Sequence, residues 1–207
     1  MTVCRYVAAT LVLVFASVFL GAAPGRAAQP ILSDPLTTWP LNFGTQSTTA
    51  FAKNGSIHLA LPPNNATWVS YTGFTFTDMD ASLTITPNIT TGNAAGLTFW
   101  GTGSGNFFEF YLADQVGLFA LFHRVPGANP VWQNIVPWTK NAAIKVGGPN
   151  TLRVVTKGNS VTLFANGQLL GELNVMAPAT GGMVGFEGES GSRGPADYSF
   201  TNLIVSQ

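Results

Sequence analysis

Acidic side chains at alternate positions of a β-strand are the first residues of this sequence that could do chemistry. In "GFEGES", Glu187 and Glu189 lie two residues apart, and residues at that spacing share one face of a strand. Two carboxyl groups on one face can act as acid and base when one is protonated and the other is ionised. If Val184 and Phe186 point into a core, both glutamates face away from it. The alternative is a solvated strand face on which the two acids have no ligand.

A second face combines aromatic rings with single polar groups. In "NFFEFYLAD" and "QVGLFALFHR" the alternation predicts one apolar side directed inward and one side that carries an acid and rings. Aromatic rings stack on the apolar side of a sugar ring while polar groups bind its hydroxyls. The alternative is that a loop covers these rings. The predicted binding residues are Trp100, Glu109, Tyr111 and His123, with Trp132 at the rim.

Other chemistries have no support in the sequence. It has no phosphate-binding loop, no Gly-x-Ser-x-Gly and no Cys-His pair. His123 has no Asp or Cys at ligand spacing, so no catalytic metal and no cofactor are predicted. The alternative is a structural calcium that bridges Asp34 and Asp197, which lie near the two ends of the mature chain.

The elements that must position these residues are strands. Apolar residues recur at every second position after residue 45, as in "SIHLAL" and "ASLTITPNI", and Gly, Asn and Pro clusters separate the segments. No segment has a sustained helical stripe. This pattern predicts eleven or twelve short strands in an all-β, two-sheet antiparallel sandwich, with a closed barrel as the alternative. Asn166 and Gly167 in "LFANGQLL" predict a tight hairpin turn.

The first 28 residues predict a secretory signal peptide. Arg5 precedes an apolar run from Tyr6 to Leu20, and Gly25 and Ala27 are small residues before the expected cleavage site. A retained membrane anchor is the alternative. Cleavage would leave residues 29–207 as one domain without a membrane span, and would remove Cys4, the single cysteine. The expected location is extracellular or periplasmic.

Charge narrows the class of partner. Removal of Arg5 and Arg26 from nine basic residues leaves seven against nine acidic ones, a net charge of about −2. This gives no electrostatic reason to expect a nucleic acid or an anionic membrane as partner. Charged residues are only 9% of the chain, so we expect an uncharged partner such as a neutral carbohydrate or a cell-surface glycan.

A family resemblance follows from the second half of the sequence. "VPWTKNAAIKVGGPNTLRVVTKGNSVTLFANGQLLGEL", then "GGMVGFEGES", then "YSFTNLIV" resemble the secreted bacterial branch of the concanavalin A-like jelly rolls. That group includes laminin-G-like and 3-keto-disaccharide hydrolase-like domains. Upstream, "GLTFWG" and "FFEFYL" look like its central pair of strands. The resemblance implies a jelly-roll sandwich, and it implies lectins, glycanases or adhesion modules as functional classes.

Three hypotheses about function remain open. The hydrolase-like relatives carry an Asn-Ser-Gly segment where this sequence has "AAGLTFWG", and the strand around Glu109 lacks the several acids of the family sixteen glycanases. The first hypothesis is therefore a non-catalytic domain that binds a neutral glycan. The second is a glycoside or 3-keto-glycoside hydrolase that uses Glu109, Glu187 and Glu189. The third is a structural or adhesion module without a small-molecule ligand.

Overall fold

The computed structural model describes residues 29–89 and 94–207. The predicted signal peptide, residues 1–28, lies outside the described residues, and so does Cys4. Within the two described ranges, no helix is long and apolar enough to cross a membrane.

The described residues form fourteen strands and one short 3-10 helix, Leu41–Phe43. The strands are β1 (Pro30–Asp34), β2 (Ala50–Lys53), β3 (Ser56–Leu61), β4 (Asn65–Ser70), β5 (Met79–Ile89), β6 (Ala94–Gly101), β7 (Phe107–Ala113), β8 (Leu118–Val125), β9 (Val131–Lys140), β10 (Asn150–Lys157), β11 (Ser160–Ala165), β12 (Gln168–Asn174), β13 (Met183–Ser190) and β14 (Ala196–Ser206).

The strands form two antiparallel sheets. The eight-stranded sheet has the order β12-β11-β10-β5-β14-β3-β2, and β1 also pairs with β14. The six-stranded sheet has the order β4-β13-β6-β7-β8-β9. Both sheets have free edges, so the predicted two-sheet sandwich is confirmed and the closed barrel is wrong.

Three of the fourteen strands, β1, β2 and β9, do not appear among the segments that alternation predicts. β1 and β2 have only five and four residues, too few to show a clear period of two. β9 contains Pro137 and interrupts its pairing with β8 twice. Proline cannot donate to a neighbouring strand, so its position on an edge strand is the one a sheet tolerates.

The core lies between the two sheets. Ile57, Leu59 and Leu61 alternate inward along β3, and all three are buried. Phe186 from β13 stacks on Phe200 from β14 with ring centroids 4.2 Å apart, so the two sheets touch through aromatic rings. Full burial of such a side chain contributes about 1.5–3 kcal/mol. Because the described residues contain no cysteine, packing must supply this stability.

The predicted hairpin between β11 and β12 is confirmed. Asn166 and Gly167 have φ values of 51° and 79°, the left-handed conformation that a two-residue type I′ turn requires at both positions. The strands that they join pair from Ala165 and Gln168 onward.

Candidate functional site

The outer face of the six-stranded sheet, directed away from the core, collects most of the predicted site residues. Along β7, Phe108, Phe110 and Leu112 belong to the core. The intervening positions Glu109 and Tyr111 therefore project from the opposite face. Alternation along this strand was sufficient to predict which side carries the acid.

Six aromatic rings form a continuous row over this face. Successive centroids are 5.8, 6.0, 6.4, 5.7 and 6.2 Å apart, within the range of favourable aromatic pairs. The rings come from strands β4, β7, β8 and β9. We call this set the aromatic row; in order, it comprises Trp68, Phe107, Trp132, Phe122, Trp138 and Tyr111.

Both tryptophans of β9 lie on this face, although the pairing of β9 with β8 has two irregularities. Where β9 pairs with β8, β9 has one extra residue between Asn134 and Val136 and a second one between Val136 and Thr139. Each extra residue reverses the alternation of side chains beyond it. The two reversals cancel, so Trp132 and Trp138, six residues apart, lie on the same side as in a regular strand; both are about two-fifths exposed, at 43% and 41%.

A cavity of about 260 Å³ opens beside one end of the aromatic row. Its lining consists of Tyr111, Phe122, Trp132, Trp138 and the side chain of Glu189. We call it the row cavity. Four rings and one carboxyl group around an open concavity are the combination that binds the apolar side of a sugar ring and one of its hydroxyls.

Two further glutamates lie on the same face but are completely covered. Glu109 is 0% exposed and Glu187 is 1% exposed. On β6, Gly96 lies opposite Glu187 on one side and opposite Tyr111 on the other. Because Gly96 has no side chain, it leaves room for a carboxyl group beneath the rings.

The burial of these acids changes their protonation. Both Glu109 oxygens and one Glu187 oxygen are buried without a hydrogen-bond partner among the described residues. Burial raises the pKa of Glu109 well above its ordinary value, the carboxyl groups of Glu187 and Glu189 add to the rise, and Arg124 opposes it. Burial raises the pKa of Glu187 to about 8, again with Glu189 adding and Arg124 opposing. Burial therefore favours the protonated, uncharged form of both groups.

Glu189 differs from the two covered acids. It lies two residues after Glu187 on β13 and on the same face, as the spacing predicted, but its side chain is exposed. Partial burial raises its pKa above the ordinary value. It is the acid of this face that reaches the row cavity.

Trp100 lies on the other side of the sheet, contrary to the prediction. Opposite the segment of β13 between Met183 and Gly185, β6 contains one extra residue and forms a bulge. Within this bulge, Trp100 adopts a φ of 52°. This bulge reverses the alternation, so Trp100 and Phe99 both point into the core. Trp100 is 2% exposed, and its Nε1 donates to the carbonyl of Thr77 at 2.8 Å.

His123 also faces the core side, in line with Phe119 and Leu121 on β8. Its ring stacks on Phe108 at 4.2 Å, and its Nε2 lies 2.7 Å from Asn106 Oδ1. Together with Trp100 it lines a separate cavity of about 530 Å³. The structure therefore brings Tyr111 and Trp132 together in one cavity, places Glu109 beneath their face, and puts Trp100 and His123 elsewhere.

Sequence reasoning omitted Phe122 and Arg124 from the site. Both follow Ala120 at alternate positions of "ALFHR", so the period of two already placed them opposite His123. Trp138 was not among the predicted site residues either. It lies six residues after Trp132, so the period of two already placed both tryptophans on one side of the strand.

The two aspartates considered for calcium lie apart. Asp34 is opposite Leu203 on β14, and from Asp197 to Leu203 a strand extends roughly 20 Å at about 3.3 Å per residue. Asp34 accepts hydrogen bonds from Leu36 N and the Tyr71 hydroxyl, and Asp197 lies 3.0 Å from Nδ1 of His58. Within the described part of the chain, no group of three or more His, Cys, Asp or Glu residues could hold a metal ion.

Solved structures with a similar fold include two enzymes named for their action on glucans. A β-glucanase from Bacillus licheniformis aligns with a TM-score of 0.61 and 10% identity over 85% of this chain and 97% of its own. The laminarinase catalytic domain from Thermotoga maritima aligns with a TM-score of 0.60 and 10% identity over 88% and 99%. The chain has a concanavalin A-like jelly-roll fold. This confirms the fold that the sequence resemblance implied.

A carbohydrate-binding module from Bacillus subtilis shares the jelly roll at lower coverage. It aligns with a TM-score of 0.57 and 15% identity over 70% of this chain and 83% of its own. No protein-family model and no curated protein matches the sequence of this jelly roll. Identities of 10–15% establish the fold, and fold alone does not establish function.

Proposed function

We propose that this jelly roll is a secreted domain that binds a carbohydrate on the aromatic row, without cleaving it. The observation that carries the proposal is the row cavity, which four aromatic rings and Glu189 line. A neutral pyranose would stack against Trp138 and Trp132, and Glu189 would accept a hydrogen bond from a hydroxyl group. Glu109 would act beneath the rings rather than as a direct contact.

Because Glu109 and Glu187 are buried beneath aromatic rings, binding of a carbohydrate is better supported than its cleavage. An acid that protonates a glycosidic oxygen must come within about 3 Å of it. Both carboxyl groups are buried under the aromatic face, so a sugar in the row cavity does not reach them. In their uncharged form, the two carboxyl groups pack beneath the rings and fill the space under the aromatic face.

The low charge of the chain and the similar folds agree with an extracellular glycan as the partner. Only 9% of residues are charged, and the fold is shared with two glucan-degrading enzymes and a carbohydrate-binding module. We expect the protein to be exported through its first 28 residues and to meet a cell-surface or soluble glycan outside the cytoplasm.

Titration calorimetry with a panel of soluble oligosaccharides tests the proposal. We expect one ligand class to bind, and Trp138→Ala to weaken that binding at least about ten-fold, since burying an aromatic ring against a ligand is worth more than 1.4 kcal/mol. Trp100→Phe is the matched control, because Trp100 lies in the core and should affect stability rather than affinity. Equal loss of affinity in both variants would contradict the proposed location, and absence of binding across the panel would favour an adhesion module without a sugar ligand.

A glycoside or 3-keto-glycoside hydrolase is the second candidate, and the Glu187–Glu189 pair favours it. Glu187 has a pKa raised to about 8, which suits a general acid, and Glu189 lies on the same face two residues away. Because Glu187 is covered, catalysis would require the rings above it to move aside. Release of reducing ends from the bound glycan would reveal turnover. If the protein is a hydrolase, Glu187→Gln and Glu189→Gln should each abolish turnover; turnover that persists in both variants would rule out this pair.

A further inference from the structure

Arg124 occupies the opposite end of the aromatic row from the row cavity. Its guanidinium carbon lies 5.0 Å from the ring centroid of Trp68, 5.7 Å from that of Phe107 and 5.9 Å from that of Trp132. Nη1 donates to the backbone carbonyl of Gly105. Three rings and one hydrogen bond fix this side chain in place, so little side-chain entropy remains to be lost when it binds a ligand.

No carboxylate neutralises Arg124. Across the described ranges, ion pairs join Arg153 to Asp80 and His58 to Asp197, and none includes Arg124. The acids that influence it electrostatically are Glu109 and Glu187, whose charged forms burial disfavours. A partly buried guanidinium therefore lies on this face without an ion-pair partner among the described residues.

A cavity of about 490 Å³ adjoins the guanidinium. Besides Arg124 and Trp68, its lining contains apolar side chains and four side chains with hydroxyl groups; the hydroxyl residues are Ser70, Thr72, Thr102 and Ser104, and the apolar ones are Phe43, Val69 and Met183. We call it the Arg124 cavity. Hydroxyl groups accept and donate hydrogen bonds, so its walls match the hydroxyls of a sugar, while the guanidinium matches an anion.

Along the aromatic row, Trp132 lies between Trp138 of the row cavity and Trp68 of the Arg124 cavity. It lines the row cavity, and its ring also lies within cation–π distance of Arg124. A ligand that extends along the aromatic row from Trp138 towards Trp68 would thus place one unit in each cavity. Such a ligand is an oligosaccharide rather than a single sugar.

We infer that the glycan bound by this protein is anionic: it carries a carboxylate or a sulfate ester, and Arg124 binds that group in the Arg124 cavity while a neutral sugar unit stacks in the row cavity. This inference rests on the proposed carbohydrate binding and specifies its ligand. A guanidinium presents a planar fork of N–H donors that pairs with two oxygens of a carboxylate or sulfate. One donor is used by Gly105, and the others remain available for the ligand.

The test compares three sets of oligosaccharides with equal length and linkage: neutral, with uronic acid units, and with sulfate esters. We expect the unmodified protein to bind at least one anionic set about ten-fold more tightly than the neutral set at low salt, with the preference shrinking as salt rises. The uronic acid and sulfate arms distinguish the two sources of negative charge.

Variants of Arg124 assign the preference to its side chain. Arg124→Gln should reduce the ratio of anionic to neutral affinity to about one, and Arg124→Lys should restore it only in part, because lysine keeps the charge without the planar fork. Arg153→Gln is the control: Arg153 also lies over an aromatic ring, Phe164, but it is on the other sheet and paired with Asp80. Thermal unfolding verifies that each variant is folded.

The outcomes separate this inference from the proposed function. Equal binding of neutral and anionic sets by the unmodified protein, or an anionic preference that survives Arg124→Gln, overturns the inference and leaves carbohydrate binding intact. Failure of all three sets to bind overturns both. A preference that Arg124→Gln removes and Arg153→Gln retains supports the inference.

Discussion

At the scale of residues, the covered glutamates are the least ordinary feature of the molecule. A carboxyl group without a hydrogen-bond partner is costly to bury, and it costs far less in its protonated form. Glu109 and Glu187 are both buried, while the aromatic rings above them exclude water. The protein therefore carries two acids whose protonation is coupled to folding.

We predict that the free energy of unfolding falls as pH rises from about 5 to 8. The unfolded chain releases the Glu187 proton near its ordinary pKa of 4.5, whereas the folded chain retains it until a pKa of about 8. Over that interval the folded state binds more protons, so each such group lowers stability by up to about 1.4 kcal/mol per pH unit. Guanidinium chloride unfolding at several pH values measures the slope.

Glu187→Gln should flatten this dependence by about one proton, because glutamine does not titrate. The remaining slope would come from Glu109, Glu189 and Asp114, whose pKa values burial raises in the same direction. Glu172→Gln, a change at an exposed glutamate on β12, should leave the slope as it is. Two results would contradict the conclusion that both acids are buried in uncharged form. One is a free energy of unfolding that rises between pH 5 and 8, and the other is a slope that stays the same in Glu187→Gln.

At the scale of elements, the hairpin between β11 and β12 does more than reverse the chain. Asn166 Oδ1 accepts a hydrogen bond from Thr151 N at 3.0 Å, and its Nδ2 donates to the carbonyl of Ala143 and to Asn150 Oδ1, both at 2.8 Å. The turn residue thus fastens the loop before β10 to the sheet. The sequence predicted the turn from residue type, and the structure adds this second role.

We predict that Gly167→Val destabilises the protein by about 1–3 kcal/mol, since a β-branched residue is strained at a φ of 79°. Asn166→Gly keeps the turn conformation but removes the three side-chain hydrogen bonds, and should also cost about 1–3 kcal/mol. Gly171→Ala on β12 is the control, because its added Cβ meets nothing within 4 Å. Chemical unfolding measures all three; a loss in Gly171→Ala as large as in Gly167→Val would contradict the role of the turn.

At the scale of the whole molecule, stability rests on the apolar layer between the two sheets. The described chain has no cysteine, and its carboxylates form no cluster that could hold a metal ion. A domain of about 180 residues can bury roughly 70% of the surface of its unfolded chain. Neither a disulfide nor a metal is needed at this size.

We therefore predict that neither a chelator nor a reductant changes the melting temperature. Differential scanning calorimetry of the purified protein with and without EDTA, and separately with dithiothreitol, is the measurement. A fall of several degrees in EDTA would reveal a structural metal and would revive the calcium considered for Asp34 and Asp197. A fall in dithiothreitol would indicate a disulfide that involves Cys4, and therefore retention of the first residues.

The irregularities of pairing explain where sequence and structure diverge. Alternation correctly placed Glu109 and Tyr111 on the outer face, because β7 and β8 pair without an extra residue. The assignment of His123 to the same face was wrong, since in this register it lies opposite Phe108 on the inner side. Alternation failed for Trp100, because one added residue in β6 reverses the direction of every side chain beyond it. Whether a strand bulges depends on the neighbouring strand, and a local pattern of residues carries no such information.

By itself, the sequence determined the fold class, the Asn166–Gly167 hairpin and the outward direction of Glu187 and Glu189, since each depends on the period of two or on the φ preference of single residues. The tertiary structure was needed to see which rings share a cavity, that Glu109 and Glu187 are covered, and that no ion pair among the described residues includes Arg124. These properties arise between strands that are distant in sequence. Their physical cause is the register of the sheets, which no single segment specifies.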